Sequence, residues 1–315
     1  MDFYRYHGLG NDYLVIDPRE SSTPVTAGTV RLICDRHFGA GSDGVLYGPL
    51  FDHGGIPRVR IFNPDGGEAE KSGNGTRIFA RYLTDAGDRP LGERFPIQTL
   101  GGTVHALVAD PRGPIAMEMG RVSFQSEDIP MTGPPREVVG ELLEGLGRPL
   151  RVTAVNIGNP HCVVPVPRAT ETLAVELGPR LEHHPAFPER TNVQFLELVD
   201  RSTIRIEIWE RGAGYTLASG TSAAAAASAA VRLGHTNRHL TVLMPGGRLA
   251  VHVGKDWLVT VTGPVAAVSS GYWAPDFRDQ LLALGQESTE TPAPRHRSEG
   301  GNHEGSAPRH TSDSR

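Results

Sequence analysis

Along most of this chain, apolar residues come in short runs or at every second position, and Gly, Pro or Asp-Gly interrupts them. Runs of this kind, rich in Val, Ile and aromatic residues, predict strands. They read FYRYHGL, YLVID, GVLYGP, RVRIFN, RFPIQTL, GTVHALVAD and IAMEMG, then LRVTAVNIG, HCVVPVP, TNVQFLELV, TIRIEIWE, LTVLMPGG, RLAVHVG and WLVTVTGPV. Helical spacing is rarer. It predicts helices over Thr26–Phe38, Gly75–Ala86, Glu137–Gly147 and Thr221–Gly234, with Gly234 placed like a C′ stop. Many strands with few helices make an α+β protein.

The order of pieces repeats. A strand, an acidic or Asn-bearing turn, a Ser-Gly turn and a helix appear as RVRIFNPDGGEAEKSGNGTRIFARYL and again as TIRIEIWERGAGYTLASGTSAAAAASAAVRL. Two related α+β halves follow, over 1–130 and 131–275, with the Pro-rich stretch Pro130–Arg136 at the boundary. From 286 to 315 apolar periodicity disappears, which predicts a disordered tail whose His296, His303 and His310 are solvated.

Composition narrows the class. The chain has 315 residues, ample for two domains, and its 31 basic and 36 acidic residues are mixed, giving a net charge of −5. No basic face therefore points to nucleic acid or anionic lipid. No apolar run nears the roughly 20 residues of a membrane span, and MDFYRYHGLG has no leader pattern, so a cytoplasmic protein is expected. Cys34 and Cys162, both beside apolar neighbours, read as reduced, packed thiols.

The candidate chemistry lies in the two Ser-Gly turns. After Ser72 and Ser219, the backbone N–H groups of Gly73, Asn74, Gly220 and Thr221 would open a helix, and its positive end would attract a carboxylate or phosphate. One such turn is commonly only a cap. Two in matching contexts suggest a base and an acid on opposite faces of one carbon.

Through HGLGNDYLVID, FNPDGGEAEKSGNGTRIFARYL, NIGNPHCVV, TNVQFLEL and ERGAGYTLASGTSAAAAA, the chain resembles the diaminopimelate epimerase family over about residues 1 to 273. The resemblance implies two pseudo-symmetric domains, each a barrel-like, mostly antiparallel sheet around a central helix, with the site in the cleft between them. It implies a cofactor-independent isomerase with a small amino-acid or carboxylate substrate and no metal. In that family one cysteine thiolate removes the α-proton and a second thiol returns it. Here Ser72 and Ser219 stand at the matching positions, and a hydroxyl is a far weaker acid that needs a neighbouring base.

The resemblance further implies that Gly73, Asn74, Gly220 and Thr221 cradle the α-carboxylate. Asn11, Asn63, Asn159, Asn192, Glu210 and Arg211 match pocket positions, a set able to read a carboxylate and an ammonium. Asn11 and Asn63 also suit plain turns, Glu210 and Arg211 plain surface charges, and His161 either a packed ring or a base. Asp65, Glu68, Glu70 and Lys71 crowd the approach to Ser72, and any of them could supply the missing acid or base. Tyr215 departs from the family's GAGET and changes charge and bulk beside the second turn, pointing to a changed substrate; Gly44 is uninformative. The sequence leaves open a secondary-metabolism isomerase, dehydratase or cyclase, a non-catalytic amino-acid binder, and an ordinary epimerase engineered with serine at both cysteine positions. It also leaves open whether the chain forms a homodimer.

Overall fold

In the computed structural model, residues 1–147 and 149–287 are described, and strands and helices alternate in two matching series. The first is β1 (Phe3–Gly8), β2 (Asn11–Ile16), α1 (Ala27–Cys34), β3 (Val45–Phe51), β4 (Pro57–Phe62), β5 (Glu68–Ala69), α2 (Gly73–Asp85), β6 (Arg94–Thr99), β7 (Gly102–Leu107) and β8 (Ile115–Arg121). The second is β9 (Glu141–Leu143), β10 (Leu150–Asn156), β11 (Pro160–Pro165), α3 (Glu171–Glu182), β12 (Asn192–Asp200), β13 (Thr203–Glu210), β14 (Gly214–Thr216), α4 (Gly220–Arg232), β15 (His239–Met244), β16 (Gly247–Val253) and β17 (Leu258–Gly263). The described chain ends with β18 (Ala266–Gly271) and α5 (Pro275–Glu287).

Strand pairing carries the duplication. β2 runs parallel to β3 across α1, as β11 does to β12 across α3. β4 runs parallel to β6 across α2, as β13 does to β15 across α4. Parallel neighbours require such crossovers, and helices supply them. The hairpins between are antiparallel, including β6–β7–β8 and β15–β16–β17. The sheets wrap the two central helices. α2 buries Ile78, Phe79, Ala80, Tyr82 and Leu83, and α4 is buried from Gly220 to Ala230, its alanines small enough for strands to close on every side.

The halves are stitched together at two places. β8 pairs with β17, Met117 opposite Val261, and one apolar cluster runs from Tyr6 through Phe79, Ala225 and Val265. β18 pairs with β1, Phe3 opposite Gly271, while Trp273 and Leu281 join Val30 and Ile33 in a core beneath α1.

Local chemistry explains the element ends. Thr26 caps α1 in a capping box, and the helix stops at Cys34 because Asp35 is extended and its carboxylate accepts the N–H groups of His37 and Phe38. α1 is therefore shorter than its periodicity predicts. The helix expected over Glu137–Gly147 does not form. Gly140, Gly145 and Gly147 have φ of 65°, 88° and 87°, and Glu141–Leu143 instead pairs with β10. α3 escapes sequence reading because Gly178-Pro179 looks like a breaker. Gly178 is needed there: a Cβ would lie 2.5 Å from the Trp209 ring. α5 was not expected either; Gln286 and Glu287 belong to it, and the rest of the expected tail lies outside the described residues. Among the described residues no helix is long and apolar enough to cross a membrane.

Candidate functional site

Ser72 and Ser219 are the N-caps of the two buried helices. Each has extended backbone, with φ, ψ of −134°, 122° and −144°, 127°. Ser72 Oγ accepts the Gly75 N–H at 3.0 Å, and Ser219 Oγ accepts that of Ser222 at 3.3 Å. The following glycines touch. A Cβ on Gly73 would lie 2.8 Å from Gly220 Cα, and one on Gly220 would lie 3.0 Å from Gly73 Cα. The two helix N-termini therefore meet mouth to mouth, and the first N–H groups of each have no helical turn before them. Two positive helix ends side by side attract negative charge.

The two serines have different companions. Ser72 Oγ lies 3.2 Å from the Tyr13 hydroxyl, whose pKa burial holds well above the usual phenol value, so this pair is neutral. Ser219 lies 3.3 Å from the Thr221 hydroxyl and neighbours the Glu210 carboxyl, which Thr216 Oγ1 meets at 3.1 Å. Burial raises the Glu210 carboxyl, while hydrogen bonds from Ser219 and Thr216 pull it back down. A carboxyl tuned upward next to a hydroxyl can carry a proton.

The asparagines are tied to the protein. Asn74 is buried; its Nδ2 donates to Asn11 Oδ1 at 3.1 Å and to the Ala218 carbonyl at 2.9 Å, while its Oδ1 accepts from Arg77 Nη2 at 2.8 Å. Asn11 in turn donates to Asp43 at 3.0 Å. These amides fasten one helix mouth to the residue before the other. Asn192 Oδ1 accepts the Arg211 N–H at 3.0 Å, and its Nδ2 donates to the Pro160 carbonyl at 2.9 Å. Asn159 Oδ1 lies 2.8 Å from His161 Nε2, and Arg211 Nη1 donates to the Glu189 carbonyl at 3.3 Å. Asn63 stands apart: it is exposed, and its backbone closes a turn with Gly66 and Gly67.

His161 is the packed ring rather than a base. It is wholly buried between Asn159 and Gln194, whose Nε2 lies 3.0 Å from His161 Nδ1, and burial pushes its pKa down to about 3. Unfolding returns it to the ordinary value near 6.5. Below that pH the unfolded chain binds a proton that the folded chain refuses, so His161 adds nothing above pH 6.5 and costs stability as the pH falls toward 3. The unfolding free energy from urea titrations is expected to drop through this window by up to about 1.4 kcal/mol per pH unit, and less in His161→Gln. Equal slopes in the two proteins would refute the assignment.

Tyr215 does not enter the site. Alternation along β14 sends the Thr216 hydroxyl to Glu210 and the Tyr215 hydroxyl to Glu207 at 2.7 Å, with the ring against the core beneath α3. Tyr13 and Thr216 are the contacts that sequence reading missed. Tyr13 is two residues after Asn11 and so shares its strand face, a signal that was available; the role of Thr216 depends on β13–β14 pairing. Both cysteines are buried away from the serines, Cys162 in the α3 core with its thiol pushed up to about 12 and Cys34 beneath α1. Of the charges before Ser72, Asp65 caps Gly67, Glu68 pairs with Arg60 and Glu70 is exposed; Lys71 alone turns inward, onto the Met119 carbonyl.

Known proteins match over most of this frame. A sequence model of the family described as diaminopimelate epimerase matches residues 3–125 and 153–268. "Diaminopimelate epimerase 2" of Nostoc sp. (strain PCC 7120 / SAG 25.82 / UTEX 2576) is 48% identical over 277 residues, 86% of this chain and 95% of that protein. Diaminopimelate epimerase of Moorella thermoacetica is 40% identical, covering 86% of this chain and 98% of its own. Among solved structures, a hydroxyproline epimerase from Agrobacterium vitis with bound trans-4-hydroxy-L-proline superposes with a TM-score of 0.63 at 15% identity, over 85% of this chain and 90% of that one. A PhzF-family phenazine biosynthesis protein from Bacillus anthracis gives 0.58 at 16%, over 85% and 96%. At these identities the likeness to both structures is one of fold.

Proposed function

The chain belongs to the diaminopimelate epimerase family and is an amino-acid isomerase, and we propose that it inverts the α-carbon of diaminopimelate, or of a similar diamino dicarboxylic acid, between Ser72 and Ser219 without a cofactor. The observation that supports this reading is the contact of Gly73 with Gly220, which sets the two serine-capped helix mouths side by side.

With the α-carboxylate on the paired helix ends, negative charge spreading into it as the α-proton leaves is met by N–H groups already in place. On one face Glu210, through the Ser219 hydroxyl, takes or returns the proton. On the other face the Tyr13–Ser72 pair does the converse, so one proton leaves, one arrives, and the configuration inverts. The second face is the slow one, since neither hydroxyl is easily ionised. Asn11 and Asn74 hold the two mouths in register, while Asn159, Asn192 and Arg211 frame the remainder of the substrate, with Asn63 at its rim.

LL-diaminopimelate incubated with the protein in heavy water is expected to take up deuterium at the α-carbon as the meso form appears. Neither exchange nor epimer, at protein concentrations up to those of the substrate, would overturn the proposal.

A further inference from the structure

Arg77 is a cation wholly buried in α2, and the proton path described above makes no use of it. Its Nη2 donates to Asn74 Oδ1 at 2.8 Å and its Nε to the Pro264 carbonyl at 3.3 Å, while Nη1 has no partner among the described residues. Backbone closes around it: a Cβ on Gly8 would lie 2.8 Å from Nη2, and one on Gly263 would lie 3.6 Å from Nε. Among the described residues no carboxylate pairs with Arg77, and burial alone lowers its pKa to about 10, which leaves it charged at neutral pH. Buried charges are ordinarily paired, and an apolar side chain would fill the same volume at lower cost. A guanidinium here needs a reason.

Asn74 supplies one. It lies three residues before Arg77 on the same helix face. The two ends of an asparagine amide have nearly the same shape but opposite hydrogen-bonding roles, whereas a guanidinium only donates. Arg77 therefore accepts a single orientation of Asn74, oxygen toward Nη2. The Nδ2 end is then left facing two acceptors, Asn11 Oδ1 at 3.1 Å and the Ala218 carbonyl at 2.9 Å. Turned over, the amide would set its NH2 against the guanidinium and its oxygen against a carbonyl. Asp43, a carboxylate that only accepts, fixes Asn11 in the same way from the other end, taking its Nδ2 at 3.0 Å. Two neutral amides thus lie between a cation and an anion that together dictate which way both face. The tie they make crosses between the halves, because Asn74 is in the first turn of α2 and Ala218 immediately precedes Ser219.

We propose that Arg77 is a positioning residue: by fixing the orientation of the Asn74 amide, it holds the Ala218 carbonyl, and with it the Ser219 cap, in register with the mouth of α2. Its effect on turnover rests on the epimerase reading, but the tie itself does not.

The test is hydrogen exchange at the Asn74 side-chain amide, followed by NMR of the isotope-labelled full chain, beside turnover of diaminopimelate. Exchange is expected to be slow in the unaltered protein and in Arg77→Lys, which keeps a cation that only donates. In Arg77→Gln, whose amide can donate or accept, it should be at least about tenfold faster, the magnitude of one hydrogen bond to a charged group. The backbone N–H of Phe79 should stay equally protected in all three. Turnover of Arg77→Gln should fall by about 10²-fold in kcat, the cost of an ångström of misplacement, and Arg77→Lys should recover most of it. In an Asn74→Ala background Arg77→Gln should cost nothing further, since the first change already removes the tie. Unchanged Asn74 exchange or full turnover in Arg77→Gln would overturn the proposal, as would additive losses in the double variant or no recovery with lysine. Faster exchange at Phe79 as well would also overturn it, by making Arg77 a general support of α2. Should Arg77→Gln not fold, Asn74→Ala decides: it removes the tie with Arg77 in place, and full turnover there would refute the role. Arg77-dependent exchange at Asn74 in a protein that takes up no α-deuterium would instead sink the epimerase reading and leave the tie standing.

Discussion

Replacing Ser72 and Ser219 together by cysteine is expected to raise α-proton exchange into diaminopimelate by about 10²–10⁴-fold, the span that a well-matched acid or base contributes. The argument is one of acidity at a fixed place. Each Oγ sits at a helix N-terminus and already accepts a backbone N–H, so a sulfur there gains the same stabilisation of its negative form. A thiol begins near pKa 8.5 and moves toward neutrality at such a site, whereas an alcohol stays protonated at any physiological pH. The gain should be larger for Ser72→Cys than for Ser219→Cys, because Glu210 already assists the second serine and only a neutral phenol accompanies the first. Weaker capping by sulfur should cost about 1 kcal/mol at each helix, readable as a lower melting temperature. Deuterium uptake followed by proton NMR decides the matter. An unchanged or lower rate in the double variant would mean that the serines lie outside the proton path.

Gly73→Ala should be nearly as damaging in the opposite sense. Its Cβ would press to 2.8 Å of Gly220 Cα, where a backbone atom rather than a movable side-chain tip must give way. Separating the helix mouths by even an ångström spoils the shared seat, and a displacement of that size costs about 10²-fold in turnover. Overpacking adds about 1–3 kcal/mol of destabilisation. Gly54→Ala is the control. The nearest atom to a Cβ there is an Asp52 carboxylate oxygen at 3.4 Å, an ordinary contact, so rate and stability should both stay put. Full activity in Gly73→Ala would show that the contact between the mouths is incidental.

Sequence reading found the duplication, both central helices and both caps, because each rests on local signals: strand alternation, a Ser-Gly turn and an apolar helix. It failed where a residue is fixed by a distant partner. Gly178 is inside a helix because the Trp209 ring occupies the space of its side chain, which no local pattern reveals. Gly140, Gly145 and Gly147 take left-handed conformations, so the leucines around them serve a strand instead of a helix. The resemblance puts Asn11 at the pocket and Asn74 at the helix mouth for its backbone N–H; that their side-chain amides bind each other, Asp43, Arg77 and the Ala218 carbonyl is set by distant partners. Tyr215 looked informative by its identity but faces Glu207, while the unremarked Thr216 faces Glu210. One residue of strand phase separates those outcomes.

The pairing of β18 with β1, with α5 set beneath α1, has a consequence for the order of events during synthesis. The edge of β1 that receives β18 leaves the ribosome long before its partner, which emerges more than 250 residues later, since Phe3 waits for Gly271. Until then that edge is open and the core under α1 lacks Trp273 and Leu281. The nascent chain must therefore carry an unfinished first half through translation of the entire second half, closing it last, like a clasp.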